Sequence, residues 1–357
     1  MDTNKAQQQY FTHRLMAWHE TENTRTLPWK EEKDPYKIWL SEIILQQTRA
    51  QQGLPYYLAF TGAYPTVKKL AQADDEAAFR LWQGLGYYNR CRNMLATARY
   101  IAGELKGKFP DSYDGLLSLK GIGPYTAAAI ASFAYGLPHA VVDGNVYRVL
   151  ARYFGIDTPT DTTEGKKLFQ QLAQDLLHTP DSAAYNQAIM DLGATVCSPA
   201  NPNCAECPLQ QKCIAQQQGL TGVLPVKSKK QAVAKRYFHY IILKSGDSIW
   251  IEKRTSKDIW QNLYQPYLVE HNAPLSISEL QNHPAVKAIG SNLQPVYEGM
   301  LTQKLTHRII ESRFYTIHLQ APLSIPSDSG LWVKIPMLKK YAFPKTAISF
   351  LEKKLYF

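Results

Sequence analysis

Cysteine is scarce in this 357-residue chain: there are five, and four of them fall within seventeen residues. A disulfide framework spread over the fold is therefore excluded, and a chain of this length can bury cores without one. Long apolar runs are missing too. The most apolar stretch, 125–142, is broken by Gly136, Pro138 and His139 and is rich in alanine rather than leucine. That composition fits a buried helix and not a membrane span. The opening MDTNKAQQQYFTHRL has no apolar core and no basic start, so it is not expected to be a secretory signal. It also lacks the Arg- and Ser-rich, acid-poor pattern of an organellar transit peptide. Internal repeats and low-complexity tracts are absent. Acid is in deficit, with 30 Asp and Glu against 40 Lys and Arg, a formal charge of +10. The excess of base suits a polyanionic partner, although surplus surface lysine would give the same number.

The four clustered cysteines are Cys197, Cys204, Cys207 and Cys213, spaced C-x6-C-x2-C-x5-C with no histidine among them. Pro199, Pro202 and Pro208 bar a regular helix, so the segment must wrap around something. Four thiolates can hold an iron–sulfur cluster or zinc. Structural zinc usually shows two close pairs set far apart. With a single close pair the spacing favours a cubane-type cluster, and zinc and disulfides stay as alternatives. Cys91 reads as a packing residue on a helix.

Residues 1–218 have helical texture. Asp34-Pro35 is a cap with proline at the first helical position, and the run from Tyr36 to Gln47 continues as a helix. Met94, Leu95, Ala98, Ile101, Ala102 and Leu105 recur at helical spacing, and helices also fit 146–153 and 185–194. From Val226 to Arg236 there are five cations and no acid, which reads as an exposed, charged linker. Beyond it, 237–244, 248–254 and 308–319 read as strands, the last with near-alternating polarity. The fold class expected is multidomain: an all-α first part, then an α+β part of roughly 120 residues.

Two further motifs carry chemistry. In 116–130, short apolar helices flank Lys120-Gly121-Ile122-Gly123, and Pro124 opens the second helix. Gly121 and Gly123 let the backbone turn tightly and approach a ligand, and their N–H groups with the helix start suit a phosphate oxygen. A plain αα-hairpin with a glycine turn is the ordinary alternative. Then come two carboxylates. Glu42 has Ile38, Trp39 and Leu45 as helical neighbours, an apolar stripe on which burial would raise its pKa towards that of a general acid. It could equally sit solvated at the stripe's edge. Asp143 follows Ala140-Val141-Val142 and precedes Gly144-Asn145-Val146, where a helix begins. Its ordinary role is an N-cap; its sharper role is an ionised carboxylate, its pKa lowered by the amides, facing developing positive charge. One raised and one lowered carboxylate is the pairing that cleaves glycosidic bonds.

Leu27-Pro28-Trp29, WLSEIILQQT (39–48), WQGLGYYNR (82–90), LKGIGPYTAAAI (119–130), VDGNVYRVLAR (142–152) and the cysteine loop occur in one order. Together they resemble the adenine DNA glycosylase (MutY-type) group of the helix-hairpin-helix DNA glycosylase superfamily. The resemblance covers essentially the whole chain and is strongest over the first 218 residues. It implies a six-helix barrel module at about 29–136, an iron–sulfur module from 1–28 plus 137–218, a basic linker at 219–236 and a Nudix-like domain at 237–357. It implies a [4Fe–4S] cluster on the four cysteines, with an architectural role, since hydrolysis needs no electron. The endonuclease III-type glycosylase/lyase group shares hairpin, aspartate and cluster, but carries a lysine two residues after the second hairpin glycine, where this chain has Tyr125. A non-catalytic lesion-binding module is the alternative from another class.

The resemblance also implies residue roles. Glu42 would protonate adenine at N7. Asp143 would stabilise the oxocarbenium-like sugar, with Tyr125 and Asn145 supporting that centre. Gln47 and Tyr87 match residues that wedge into the base stack, and Arg25, Leu27, Trp29 and Gln187 match the adenine pocket. Lys30 stands where arginine is frequent. The carboxy-terminal part resembles an 8-oxoguanine recognition domain and has no Nudix hydrolase box, so it should bind rather than hydrolyse. Its recognition loop, commonly Phe-Ser-His, here reads Leu305-Thr306-His307. The implied partner is double-stranded DNA with A·8-oxoguanine or A·G mispairs. A monomer is expected, away from membranes, in the bacterial cytoplasm on the nucleoid.

Overall fold

The computed structural model describes residues 5–228, 233–290, 292–305, 307–325 and 327–355. The chain divides into two compact units, one from residues 1–72 and 93–229, the other from 73–92 and 230–357. The helices of the first two-thirds of the chain are α1 (Lys5–Thr21), α2 (Pro35–Leu45), α3 (Ala50–Ala63), α4 (Val67–Ala71), α5 (Asp75–Leu81), α6 (Asn89–Gly103), α7 (Tyr113–Leu117), α8 (Pro124–Tyr135), α9 (Gly144–Phe154), α10 (Thr163–Asp175), α11 (Ser182–Thr195) and α12 (Ile214–Gln217). Their starts follow the chemistry of the caps: side chains of Asp34, Thr66, Asp74, Ser112, Asp143, Thr162 and Asp181 each accept a backbone N–H of the first turn. None of the described helices is long and apolar enough to cross a membrane.

In the first unit one core joins the two ends of the helical sequence. Phe11, Leu15 and Trp18 of α1 pack among Val149, Leu150 and Tyr153 of α9, Phe169 of α10 and Tyr185, Ile189 and Leu192 of α11. Helix α8 is apolar nearly all round and is buried from Thr126 to Ser132, as expected for a helix inside a unit rather than on its surface. It packs on α2 and α7. Helix α2 ends at Leu45, two residues short of the helix expected from sequence. Gln47 follows at φ 58°, a left-handed conformation that costs a non-glycine residue about 1 kcal/mol.

The second unit is built on one sheet of strands β1 (Ala234–Ser245), β2 (Ser248–Lys253), β3 (Tyr264–Gln265), β4 (Tyr267–His271), β5 (Val296–Lys304), β6 (Arg308–Leu319) and β7 (Gly330–Lys334), with helices α13 (Ile277–Asn282), α14 (Pro284–Lys287) and α15 (Lys345–Leu355). The order is β3-β2-β1-β6-β5, with β4 also on β1 and β7 on β2. Strands β1 and β6 run parallel from Ala234↔Arg308 to Ser245↔Leu319, and β5–β6 is an antiparallel hairpin. One face buries Ile241, Leu243, Val269 and Ile317 with Leu280 and Val286 of α13 and α14. On the other, Phe314 stacks on Tyr240 and on Phe350 of α15, the Phe314 and Phe350 rings 3.9 Å apart.

Two features differ from the pattern read along the sequence. Residues 73–92 pack with the sheet unit: Tyr264 Oη donates to Glu76 Oε1 at 2.7 Å, and the Phe343 N–H donates to Gln83 Oε1 at 3.1 Å. Contacts of such long range leave no local periodicity. The expected linker is structured at both ends. Leu224 is buried and the Thr160 N–H donates to Val226 O at 3.1 Å, while β1 already starts at Ala234 and includes Arg236. Because Phe314 is fully buried between two rings, Phe314→Ala should lower the stability of the sheet unit by roughly 3–5 kcal/mol. Denaturant unfolding followed by tryptophan fluorescence reads this, and a loss below about 1 kcal/mol would show that the stack is not a core contact.

Candidate active site

Helix α2 starts where Asp34 accepts the Tyr36 N–H at 2.9 Å and Pro35 takes the first position. Its apolar residues Ile38, Trp39 and Ile43 are buried, and Glu42 is buried beside them, 7% exposed. A carboxylate in that setting must be protonated, paired or hydrogen-bonded. Tyr125, in the first turn of α8, donates its hydroxyl to Glu42 Oε2 at 2.7 Å. Burial raises the Glu42 carboxyl to about 7; the Tyr125 bond opposes the rise, and the nearby Asp143 carboxyl adds to it. The Tyr125 phenol is itself pushed well above its usual range by burial and then by the two carboxyls, so it stays a donor.

Asp143 caps α9. Its Oδ1 accepts the N–H groups of Asn145 and Val146, both at 2.8 Å, and its Oδ2 accepts Asn145 Nδ2 at 2.7 Å. These bonds favour the ionised form. Burial nevertheless outweighs them and the nearby Arg148, and the carboxyl lies above the ordinary aspartate range. The expectation of a lowered Asp143 is thus corrected: the capping amides moderate a desolvation penalty that a surface cap does not meet. The segment before the cap is held by Asn186. Its Oδ1 accepts the Val141 N–H at 3.0 Å and its Nδ2 donates to His139 O at 2.9 Å.

Behind the cap, Arg148 is buried and donates to Asn145 Oδ1 at 2.8 Å, Gly193 O at 2.6 Å and Cys197 O at 2.7 Å. Gly193 is required there, since a Cβ would stand 2.6 Å from Asn145 Cβ. One turn on, Arg152 donates to Leu224 O, Ser198 O, Pro199 O and Thr221 O, and stands 3.4 Å from Cys197 Sγ. Cys197, Cys204, Cys207 and Cys213 line one small hollow with Arg152. Among the described residues, no three His, Cys, Asp or Glu side chains gather as a site for a single metal ion. Four soft thiols around one space, with a guanidinium to offset their charge, are a donor set that suits an iron–sulfur cluster.

In the hairpin, Gly121 has φ 78°, and a Cβ there would stand 2.8 Å from Asn93 Cβ. Ile122 is buried and pins the turn; Gly121 and Gly123 are exposed. Asp191 is fully buried in α11 and gathers four donors: Arg25 NH1 at 2.7 Å, Asn23 Nδ2 at 2.8 Å, Gln187 Nε2 at 2.9 Å and Lys30 Nζ at 3.0 Å. Two residues of the expected adenine pocket, Arg25 and Gln187, thus meet on one carboxylate. Lys30 serves as a point donor, also reaching Arg25 O at 2.8 Å. Leu27 and Trp29 are half-buried nearby in sequence, the Trp29 ring edge-on to Tyr57. Asp191, Arg148, Arg152 and Asn186 were missed from sequence. Asp191 gave no signal like that of Glu42: its i−4, i−3 and i+3 neighbours are Gln187, Ala188 and Ala194, and its partners Asn23, Arg25 and Lys30 are distant in sequence.

The remaining candidates are Gln47, Tyr87, Thr306 and His307. Gln47 is exposed at its left-handed turn. Tyr87 and His307 belong to the second unit. Tyr87 is exposed at φ 48°, with the Arg90 guanidinium 5.5 Å from its ring centre. His307 is exposed at the β5–β6 turn, and Thr306 lies outside the described residues. A hollow of about 560 Å³ beside α1, lined by His13, Glu20, Asp175 and His178 among others, contains none of the candidates.

Two family models match the chain. Residues 40–175 match the HhH-GPD superfamily of base excision DNA repair proteins, and 239–353 match the NUDIX domain. An adenine DNA glycosylase of Buchnera aphidicola subsp. Schizaphis graminum is 38% identical over 71% of this chain and 73% of its own. The Homo sapiens adenine DNA glycosylase is 40% identical over 57% of this chain and 39% of its own. Among solved structures, a thermostable thymine-DNA glycosylase is 27% identical with a TM-score of 0.56, over 61% of this chain and all of that one. An endonuclease III–DNA complex, 19% identical with a TM-score of 0.51 over 60% of this chain and 98% of that one, shares the fold.

The raised Glu42 has a consequence for stability. Its carboxyl costs nothing below pH 4.5, where it is protonated folded or unfolded, and the cost grows as pH rises to about 7. Glu42→Gln should therefore match the parent near pH 4.5 and exceed it at pH 8 by roughly 3 kcal/mol. Urea melts at the two pH values measure this; a less stable variant at pH 8 would mean that Glu42 is stabilising when charged.

Proposed function

The chain belongs to the adenine DNA glycosylase family of the HhH-GPD superfamily, a family of base-excision-repair enzymes, and we propose that it removes adenine paired with 8-oxoguanine or guanine from duplex DNA, without lyase activity. An adenine inside the stack is out of reach, so it must be flipped out. Glu42 then donates a proton to adenine N7. The C1′–N9 bond breaks with its electron pair going to the base, and Asp143, as carboxylate, faces the oxocarbenium-like sugar. Water adds its hydroxyl at C1′ and loses a proton, leaving an abasic site.

One observation carries this reading: Glu42 is a buried carboxyl with a pKa of about 7, so a large share of it is protonated at neutral pH. Its hydrogen-bond donor is Tyr125, which occupies the place of the lyases' lysine and has no amine to form a Schiff base. Arg25 and Gln187, oriented by Asp191, would contact the flipped adenine. The exposed hairpin at Gly121 and Gly123 would hold a backbone phosphate. The four cysteines would hold a [4Fe–4S] cluster in an architectural role, since hydrolysis needs no electron, in the loop that Arg148 and Arg152 tie to α9. The sheet unit, with Leu305, Thr306 and His307, would read the purine opposite adenine, and Tyr87 and Gln47 would enter the stack beside it.

Single-turnover cleavage of a duplex with one A·8-oxoguanine pair tests the proposal, using brown, cluster-loaded protein. Strand breaks should appear in the adenine strand only after alkali. Glu42→Gln should slow them by about 100-fold or more, the contribution of a general acid. Breaks without alkali would reveal lyase chemistry, and no cleavage at all would turn the reading towards another lesion or a binding-only role.

A further inference from the structure

A network of five charged side chains lies at the start of β1, remote in sequence from the carboxylates above. Arg236 of β1 pairs with Glu270 of β4, its NH2 reaching Oε2 at 2.8 Å. Through its other edge it pairs with both oxygens of Asp258, NH1 reaching Oδ1 at 2.9 Å. Arg254 NH2 reaches Asp258 Oδ2 at 3.0 Å, and Arg308 NH1 reaches Oδ1 at 3.2 Å. Three guanidiniums therefore share one carboxylate. Burial would raise the Asp258 carboxyl, but the Arg236 hydrogen bonds and the charges of Arg236 and Arg254 overcome it and hold the group well below the usual range.

The geometry around this carboxylate is built from both sides. Asp258 projects from a loop closed at its base, where the Arg254 N–H donates to Leu263 O at 2.9 Å and the Asn262 N–H to Arg254 O at 2.7 Å. Buried Arg254 also grips the loop from within, through Ile259 O at 3.0 Å and Gln265 Oε1 at 2.7 Å. On the other side, Arg308 is the first residue of β6 and follows His307 directly. The Leu305 N–H donates to Arg308 O at 2.7 Å, closing the β5–β6 hairpin, and the Ala234 N–H donates to His307 O at 3.3 Å. Both of those are backbone bonds. The Arg308–Asp258 pair is a side-chain tie from the hairpin's end to a separate, rigid loop. A lone pair this exposed is worth little, whereas a carboxylate shared by three arginines acts as a network.

We propose that Asp258 is a positioning residue for recognition of the base opposite adenine: by holding Arg308 it sets where Leu305 and His307 stand, and so how strongly 8-oxoguanine is favoured over guanine. This rests on the reading of the sheet unit given above. Asp258 touches no DNA in this scheme and acts through Arg308.

The test uses full-length, cluster-loaded protein: the parent, Asp258→Asn, Arg308→Gln and the double variant. Two quantities are read, the ratio of single-turnover rates on A·8-oxoguanine and A·G duplexes, and hydrogen exchange of the Leu305 amide. Each single variant should lower the ratio roughly fivefold, as an ion-pair network of this kind allows, and should speed Leu305 exchange. The double variant should lose no more than either single one, since both break the same tie. Unchanged exchange, an unchanged ratio, or single losses that multiply would overturn the proposal. So would an equal fall in both rates with a lower melting temperature, which marks a merely structural role. A parent that excises adenine but shows no preference would sink this inference alone; a parent that excises no adenine would sink the proposed function, and this inference with it.

Discussion

Helix α9 is the constraint on which the first unit turns. It begins at a carboxylate that must be desolvated and yet kept bonded, and one and two turns further on it carries two buried guanidiniums. Arg148 and Arg152 take up carbonyl oxygens of Gly193, Cys197, Ser198, Pro199, Thr221 and Leu224. A proline-rich loop cannot satisfy those oxygens through its own backbone, and buried carbonyls without partners are costly. The same helix therefore sets both the Asp143–Asn145 pair and the loop of four cysteines. Displacing either arginine would move the other end of the arrangement.

The second constraint is electrostatic. The first unit buries Glu42 and Asp191 and half-buries Asp143, and treats each differently. Asp191 receives an arginine, a lysine and two amides, the pairing that makes a buried charge tolerable. Asp143 receives amides at a helix start. Among the described residues Glu42 receives one phenol hydroxyl and no cation, and so retains a carboxyl near neutrality. A structural carboxylate would be expected to look like Asp191. The under-compensated one is where stability is given up, and it is the group to which proton transfer is assigned.

Much of this was legible along the chain. Helix α2 was readable from Asp34-Pro35, the hairpin from its two glycines, and the cysteine loop from its spacing and prolines, because each depends on neighbours within a few residues. The change from helical to strand periodicity marked the sheet. Glu42 was visible as an acid on an apolar stripe. What escaped were partners distant in sequence: Asn186 holding the strand-like segment before Asp143, Asp191 gathering Arg25, Lys30 and Gln187, and α5 lying with the sheet unit. The left-handed Gln47 also escaped, since nothing in glutamine's chemistry asks for that conformation.

The sequence by itself determined the caps, the turns, the thiol count and which faces are apolar, since these follow from side-chain chemistry at fixed local spacing. It also determined the family, through motifs in one order. Only the tertiary structure decided how strongly each carboxyl is perturbed. Asp143 looked from its neighbours like a cap with a depressed pKa, and burial by the surrounding helices reversed the direction. Desolvation depends on what the whole fold places around a group, and that is not written beside it in the chain.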